Sequence, residues 1–476
     1  DQRTLLVRIC IGNPVLIIRM KRTLIKVFGL IIYLLISLPI HYAGAQHRLI
    51  VVDPGHFHAA LIQKMNYIGI DSAVHVYAEK EKDLTDYLTK IQDYNSRSES
   101  PTNWKEVIFT GNDFLAKMIA EKSGDIVVLA GNNKKKIRYI EESVGAGLNV
   151  LADKPMVIDE KGFNILKELF SISKKKGIVL YDIMTARYNI VNIIQRELSL
   201  IPAIFGELEK GSPGNPAVVS ESKHHFFKRV SGSPLKRPDW FFDIEQQGAG
   251  IVDVGTHLVD QIQWSCFPNV KLDYQKDIIL ISSEISATSI TLAQFNAVTG
   301  SAVFPAFLNP AISDSLLHVY SNGVINYKLK DIHARVRVQW DFEAPAGEGD
   351  THYSRMRGSG ANLVIRQDAA QQFKPILSIE APDGKVINEK LLRNHFRTIS
   401  DRYPGVGLQK VENGWVIAIP ADYYQDHEEG FARVVNQYLD FLKDGTLPDW
   451  EVPNMMAKYF TLTQALKNAL KEKPCY

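Results

Sequence analysis

From residue 49 to residue 182, short runs of apolar, largely β-branched residues alternate with longer amphipathic stretches. The runs fall at 49–52, 74–78, 107–110, 126–130, 149–152 and 178–181, and helical patterns occupy 82–94, 113–122, 135–146 and 160–176 between them. Continuous apolar strands lack the one-sided alternation of a half-exposed sheet, so they predict a parallel sheet covered on both faces by the intervening helices. Six strand–helix steps predict a Rossmann-type, doubly wound α/β domain over residues 46–184. The Ser-rich segment 96–103, with Pro101, reads as a surface insertion.

After a further helix at 186–200 the pattern changes. Residues 205–425 carry short β-type runs at 278–281, 289–292, 319–327, 334–341, 362–365, 376–380 and 414–419, with few helices between them. This predicts an α+β domain with a mostly antiparallel, open sheet over residues 185–476. Helical stretches at 428–443 and 454–471 close the chain, separated by Asp444-Gly445 and Pro448. There is no internal repeat and no low-complexity tract.

The first 45 residues do not belong to this pattern. Met20 opens a basic start (Lys21, Arg22, Lys26), an apolar run at 27–40, and then Ala43-Gly44-Ala45. That is the layout of a secretory signal peptide cleaved after Ala45, and the run is short for a spanning helix of roughly 20 residues. Residues 1–19 read as a mis-called start. The expected mature protein is periplasmic or secreted, with no stable membrane insertion.

The whole chain has 55 Lys and Arg against 53 Asp and Glu, a formal charge of +2, which gives no basic face for nucleic acid. The leader removes six basic residues (Arg3, Arg8, Arg19, Lys21, Arg22, Lys26) and one acid (Asp1), so the mature chain keeps 49 against 52 and is mildly acidic. Cys266 and Cys475 remain after cleavage, free or paired in one disulfide.

The first strand runs into Asp53-Pro54-Gly55-His56-Phe57-His58. A dinucleotide-binding turn places glycines here for the tight turn, the approach to a pyrophosphate, and helix–sheet packing. Only Gly55 of the three is present, with Asp53 and His58 in the outer positions. The turn therefore reads as a modified cofactor loop, as a turn that no longer binds phosphate, or, through Asp53, His56 and His58, as metal ligands without a standard spacing. A side chain at His58 predicts a first helix pushed off or tilted from the sheet. Glu79 ends the second strand, where an acid holds the adenosine ribose hydroxyls and repels a 2′-phosphate, favouring NAD over NADP; the alternative is an exposed acid in a charged run.

Three further segments carry more specific signals: Ala130-Gly131-Asn132 after the fourth strand, Asp153-Lys154-Pro155 after the fifth, and the stretch from Gly248 to Asp260 containing Asp253, Gly255 and His257. Together they resemble the glucose-fructose oxidoreductase and inositol dehydrogenase (Gfo/Idh/MocA) family. Its Glu-Lys-Pro appears as Asp153-Lys154-Pro155, and its glycine-rich Asp-x-Gly-x-His-x-x-Asp segment carries Ala249 in the middle glycine position. The resemblance implies an NAD-dependent dehydrogenase acting on a carbohydrate, with Lys154, Asp253 and His257 as the catalytic set, and a homo-oligomer formed through the second domain's sheet.

The residue chemistry agrees with that set. Asp253 and His257 are four apart and share a helix face, His exchanges protons near neutral pH, and a lysine beyond a strand's C-terminal end can polarise a reacting oxygen. Arg187, His224 (with Lys223, His225 and Lys228), Trp240 and His352 are weaker candidates for the substrate. Two rival readings remain: a glycosidase or lyase of the same fold that recycles its NAD, and a cofactor-free carbohydrate-binding or metal-dependent protein.

Overall fold

A computed structural model describes residues 47–471, except 80, 81, 231, 232, 425 and 426, together with residues 6–9 and 16–19. The two short segments pair as an antiparallel hairpin and form a unit separate from residues 47–476. The expected signal segment with its expected cleavage site, and Cys475, lie outside the described residues. Among those residues no helix is long and apolar enough to cross a membrane. Cys266 is a free, half-buried cysteine, and burial pushes its thiol pKa up to about 12.

The first sheet contains β1 (Leu49–Val52), β2 (Ala73–Ala78), β3 (Lys105–Thr110), β4 (Ile126–Leu129), β5 (Asn149–Ala152) and β6 (Leu180–Asp182). All pairings are parallel, in the order β3-β2-β1-β4-β5-β6. β1 and β4 are buried at every position, as strands covered on both faces must be. Strand order reverses between β1 and β4, so the crevice beyond their C-terminal ends is where this topology takes ligands.

The covering helices are α1 (His58–Leu61), α2 (Lys82–Ser96), α3 (Phe114–Glu121), α4 (Asn133–Ala146) and α5 (Glu160–Lys176). α5 shows why they stop and start where they do. Asp159 caps its N-terminus by accepting from the Gly162 amide, Lys174 to Lys176 occupy its last turn, and Gly177 ends it at φ 68°. The first helix departs from expectation: α1 is a single buried turn, and His58 is accommodated inside it at 5% exposure.

After α6 (Ile190–Ser199) comes the second sheet: β7 (Val218–Phe227), β8 (Ile278–Ile290), β9 (Leu316–Leu329), β10 (Ile332–Glu343), β11 (Thr351–Arg357), β12 (Asn362–Gln367), β13 (Ile376–Glu380), β14 (Gly407–Val411) and β15 (Gly414–Ala418). Their order is β8-β9-β10-β7-β11-β12-β13-β15-β14, antiparallel throughout except for β10 against β7. The runs expected at 278–281 and 289–292 are one strand, β8, with two register shifts, and Leu292 opens a helix, Leu292–Thr299.

Two helices, α7 (Gly250–Asp253) and α8 (Gly255–Cys266), lead from the glycine-rich segment. A Cβ on Gly250 would lie 1.7 Å from the Ser321 carbonyl oxygen, so only glycine lets α7 rest on β9; Gly248 has φ 89°, and Ala249 fits between them, fully buried. The C-terminal helices, α9 (His427–Asp444) and α10 (Glu451–Lys471), return to the first domain. Tyr438 donates to the Val179 carbonyl and Tyr459 to the Asp182 carboxylate at 2.6 Å, so both sheets share one compact unit.

Candidate functional site

The loops after β1, β4 and β5 meet at the C-terminal edge of the parallel sheet. A Cβ on Gly131 would lie 2.1 Å from the Asp53 carbonyl oxygen, so this glycine allows the two loops to touch. The His56 amide donates to the Ala130 carbonyl (3.0 Å) and is thereby used internally. Asp53 takes φ 46°, and its carboxylate accepts from the Tyr139 hydroxyl (2.8 Å) with Lys135 at 3.6 Å. Lys135 also lies 3.9 Å from Glu79, which is partly exposed.

Inside the loop, His58 Nδ1 is 2.9 Å and His56 Nδ1 3.4 Å from the same oxygen of Asp153, Oδ2. Phe57 packs against both imidazoles, and Phe431 closes over His58 with ring centres 4.7 Å apart. Burial alone would raise the Asp153 pKa, but the imidazoles and the Lys136 ammonium outweigh it and hold the carboxyl well below its usual range. Burial dominates at His56 and lowers its pKa, with Asp153 opposing.

Lys136 is the residue sequence reasoning missed. Its fully buried Nζ donates to Asn133 Oδ1 (2.7 Å) and to the carbonyls of Asp153 (2.9 Å) and Pro155 (3.0 Å), holding the turn that presents Lys154. Burial pulls its pKa down to about 8, against the pull of Asp153. The available signal was its spacing from Asn133, Tyr139 and Ile140 on the inner face of α4; the run Lys134-Lys135-Lys136 hides it as a solvated charge cluster.

Lys154 donates to Asp253 Oδ1 at 2.6 Å, and both side chains are about nine-tenths buried. Burial would raise the Asp253 pKa; the Lys154 charge and hydrogen bond reverse that and lower it. His257 stands one turn further on, in α8, and lines a cavity of about 390 Å³ with Val254, Ser222, His224, Asp350 and His352. Lys154 and Asp253 are not among the residues lining that cavity. His224 Nδ1 meets Asp350 Oδ2 at 2.9 Å, His225 Nδ1 meets Asp350 Oδ1 at 3.0 Å, and Lys228 also pairs with this carboxylate. His224 and His352 therefore stand where a substrate contact is expected.

Two weaker candidates stand elsewhere. Arg187 does not line the cavity; its guanidinium forks onto Asp260 (2.7 Å to each oxygen) and onto Glu451 (2.9 and 3.0 Å) in a buried network with Lys458 and Asp182. The two forks commit the guanidinium to carboxylates inside this buried network, away from the cavity. Trp240 lies on the cofactor side, its ring 3.2 Å from where a Gly55 Cβ would be, with Nε1 donating to Asp83 Oδ2 at 3.0 Å.

The residues fit a dinucleotide at one end. Lys82, Asn132, Lys135 and Gln246 border a cleft of about 310 Å³, and Glu79 pairs with Lys135 at its side, which suits an adenosine. At the diphosphate end, Trp240 and Asp83 occupy the space before Gly55. The Asn132 amide donates to Gln246 (2.8 Å), and Asn133 donates to the Gln247 carbonyl (2.8 Å), drawing the second domain across the crevice. On this side the indole stands between a diphosphate and Gly55, while Gly55, His56 and Phe57 also line a second cavity of about 460 Å³ beside α2.

The doubly wound sheet, the Lys154–Asp253 pair at its edge and the open second sheet define an oxidoreductase of the Gfo/Idh/MocA type, with an NAD(P)-binding fold. Residues 194–470 match the family described as "Putative oxidoreductase C terminal domain", and the chain belongs to that family. It is 50% identical to a crystal structure of a "putative oxidoreductase" from Parabacteroides merdae, over 90% of this chain and 98% of that one, with TM-score 0.89. More distant structures share the fold: GenD2 from gentamicin A biosynthesis in complex with NAD (16% identity, 90% and 95% coverage, TM-score 0.54). KijD10, a 3-ketoreductase from Actinomadura kijaniata in complex with NADP and TDP-benzene, is 11% identical over 87% of this chain and 95% of that one, with TM-score 0.51. No curated protein matches.

Proposed function

We propose that this chain is an exported, NAD-dependent oxidoreductase that interconverts a hydroxyl and a ketone on a sugar, cyclitol or sugar derivative. The observation that carries the reading is the buried Lys154–Asp253 pair, one helical turn from His257 on the wall of a cavity that His224, Asp350 and His352 also line. Such a cavity, with imidazoles and a carboxylate converging and Tyr188, Asn189 and Gln261 on its walls, suits a polyhydroxylated ligand. GenD2 in complex with NAD and the 3-ketoreductase KijD10 support the reading as fold relatives.

In this reading Lys154, held by Asp253 behind the cavity wall, polarises the reacting oxygen once substrate and cofactor have opened the site to it. His257 takes the hydroxyl proton on oxidation and returns it on reduction. Glu79 accepts from the adenosine ribose hydroxyls, and its charge disfavours a 2′-phosphate. A bound nicotinamide supplies the hydride acceptor. A redox-neutral glycosidase or lyase is the second reading: an exported enzyme meets little free NAD, and one that returns the hydride to its substrate recycles the cofactor it holds.

The test is a screen of monosaccharides, cyclitols and aryl glycosides, with and without added NAD, followed by His257→Ala on any substrate found. Turnover should fall roughly 10²- to 10⁴-fold with little change in cofactor affinity, because proton transfer is felt in the transition state. Full activity in His257→Ala would remove it from the mechanism, and cleavage without added NAD would select the second reading.

A further inference from the structure

We infer that His56, His58 and Asp153 form a binding site for a divalent transition-metal ion. Their donor atoms lie within 4.8 Å of one another at the junction of the loops after β1 and β5. His58 Nδ1 hydrogen-bonds one carboxylate oxygen, Oδ2, at 2.9 Å, and His56 Nδ1 stands 3.4 Å from the same oxygen. Those two separations are close to what a single ion imposes on neighbouring ligands, since bonds of about 2.0–2.2 Å at tetrahedral or octahedral angles set ligand atoms about 3.0–3.5 Å apart; the imidazole donors, within 4.8 Å of each other, would close on the ion by small ring rotations.

A second observation points the same way. Asp153 is 3% exposed, yet its Oδ1 has no hydrogen-bond partner among the described residues. A buried carboxylate oxygen left without a donor is costly, and an ion binding at this carboxylate relieves that cost. The site also has the support that metal ligands need: Lys136 fixes the Asp153 backbone, and Phe57 and Phe431 fix the imidazole planes. Asp53, considered with the two histidines from the sequence, is engaged by Tyr139 and Lys135 instead.

Two imidazoles and one carboxylate select zinc or iron(II) over magnesium or calcium, which prefer oxygen, and three protein ligands leave positions open for water or substrate.

The experiment uses the full chain, stripped with a chelator and reloaded with zinc or cobalt(II), without NAD or sugar. Its failure therefore leaves the proposed oxidoreductase standing. Retained metal after gel filtration should reach one ion per chain, raise the melting temperature, and give the cobalt form a visible ligand-field band. His58→Gln and His56→Gln should each weaken binding by at least the roughly 10- to 100-fold that loss of a metal's supporting partner costs. His352→Gln, in the other cavity, should bind as the parent does. The metal-free variants must melt cooperatively, which separates a lost ligand from a lost fold. Equal metal content in the parent and both histidine variants, an adventitious ion only, would overturn the assignment, as would a stripped protein that binds no zinc.

Discussion

Lys458→Met tests whether the Arg187 network is structural. The Lys458 ammonium has no exposed surface and stands 2.7 Å from Asp182 Oδ2 and 2.8 Å from Asp260 Oδ1. Methionine of similar length cuts two positive charges to one among three carboxylates, Asp182, Asp260 and Glu451. Asp260 keeps the Arg187 fork, whose charge, with that of Lys458, holds its carboxyl far below the normal range despite burial. Asp182 keeps only the Tyr459 hydroxyl, and its Oδ1 has no hydrogen-bond partner among the described residues. Stranding one member of a buried ion pair costs about 3–5 kcal/mol, and the poor compensation at Asp182 argues for about 4. With an unfolding entropy of about 2.1 cal/mol/K per residue over about 420 residues, that lowers the melting temperature by about 4–5 °C. Calorimetry measures it, and Lys458→Met with Asp182→Asn should recover about half, because the stranded charge is gone. Arg187→Met should likewise lower the melting temperature and leave KM unchanged. A melting temperature within a degree of the parent, together with a raised KM, would refute this and return Arg187 to the substrate.

Trp240→Ala should tighten NADH binding about tenfold, since a ligand that must first displace a side chain binds in proportion to the open fraction; fluorescence titration reads this, and an unchanged or weaker Kd would mean the indole is not the obstacle. Stability should fall as pH drops from about 6.5 to about 4. Burial, aided by His224, lowers the His352 pKa to about 4 in the folded chain, so over that window the unfolded chain binds the extra proton. The full contribution is about 3 kcal/mol, and His352→Gln should flatten the slope of urea midpoint against pH; an identical slope would exclude His352 as its origin.

How much of this was legible in the sequence follows from where the apolar pattern survives. Five of the six parallel strands carried it because they are mostly buried, whereas the edge strand β3 is largely exposed and was legible only through its apolar, β-rich residues Val107, Ile108 and Phe109; the runs map onto β1 to β6 within a few residues. β7 was missed because Ser220, Ser222, His224 and His225 break the apolar run, although the strand lies inside the sheet between β10 and β11. It is polar there because two of those residues line the cavity, so the feature that hid the strand is the one that builds the site. The helix Glu389–Arg402 left a thinner signal. Only Leu392, Phe396 and Ile399 are buried, which is helical spacing carried by too few residues to stand out.

Charges are harder to read than strands, for a physical reason. An isolated Lys or Arg in a sequence is sensibly placed in solvent, because burying it alone costs several kcal/mol. Whether it is buried depends on a carboxylate that only the fold brings near: Lys154 meets Asp253 from 99 positions away, and Lys458 meets Asp260 from 198. Lys154 stands out because Asp153 and Pro155 flank it in a motif. Lys136 and Lys458, at least as deeply buried, sit in helices with no such motif around them, and nothing local separates them from solvated lysines. The same holds for Asp153 with His56 and His58: two residues apart in a loop, the histidines are visible as a pair, but the carboxylate that completes the cluster arrives 95 residues later along the chain from His58, on the loop after β5. A switch point in a parallel sheet is the place where such distant loops are forced together, which is why the crevice beyond β1, β4 and β5 holds both the expected catalytic lysine and a cluster with metal-ligand chemistry.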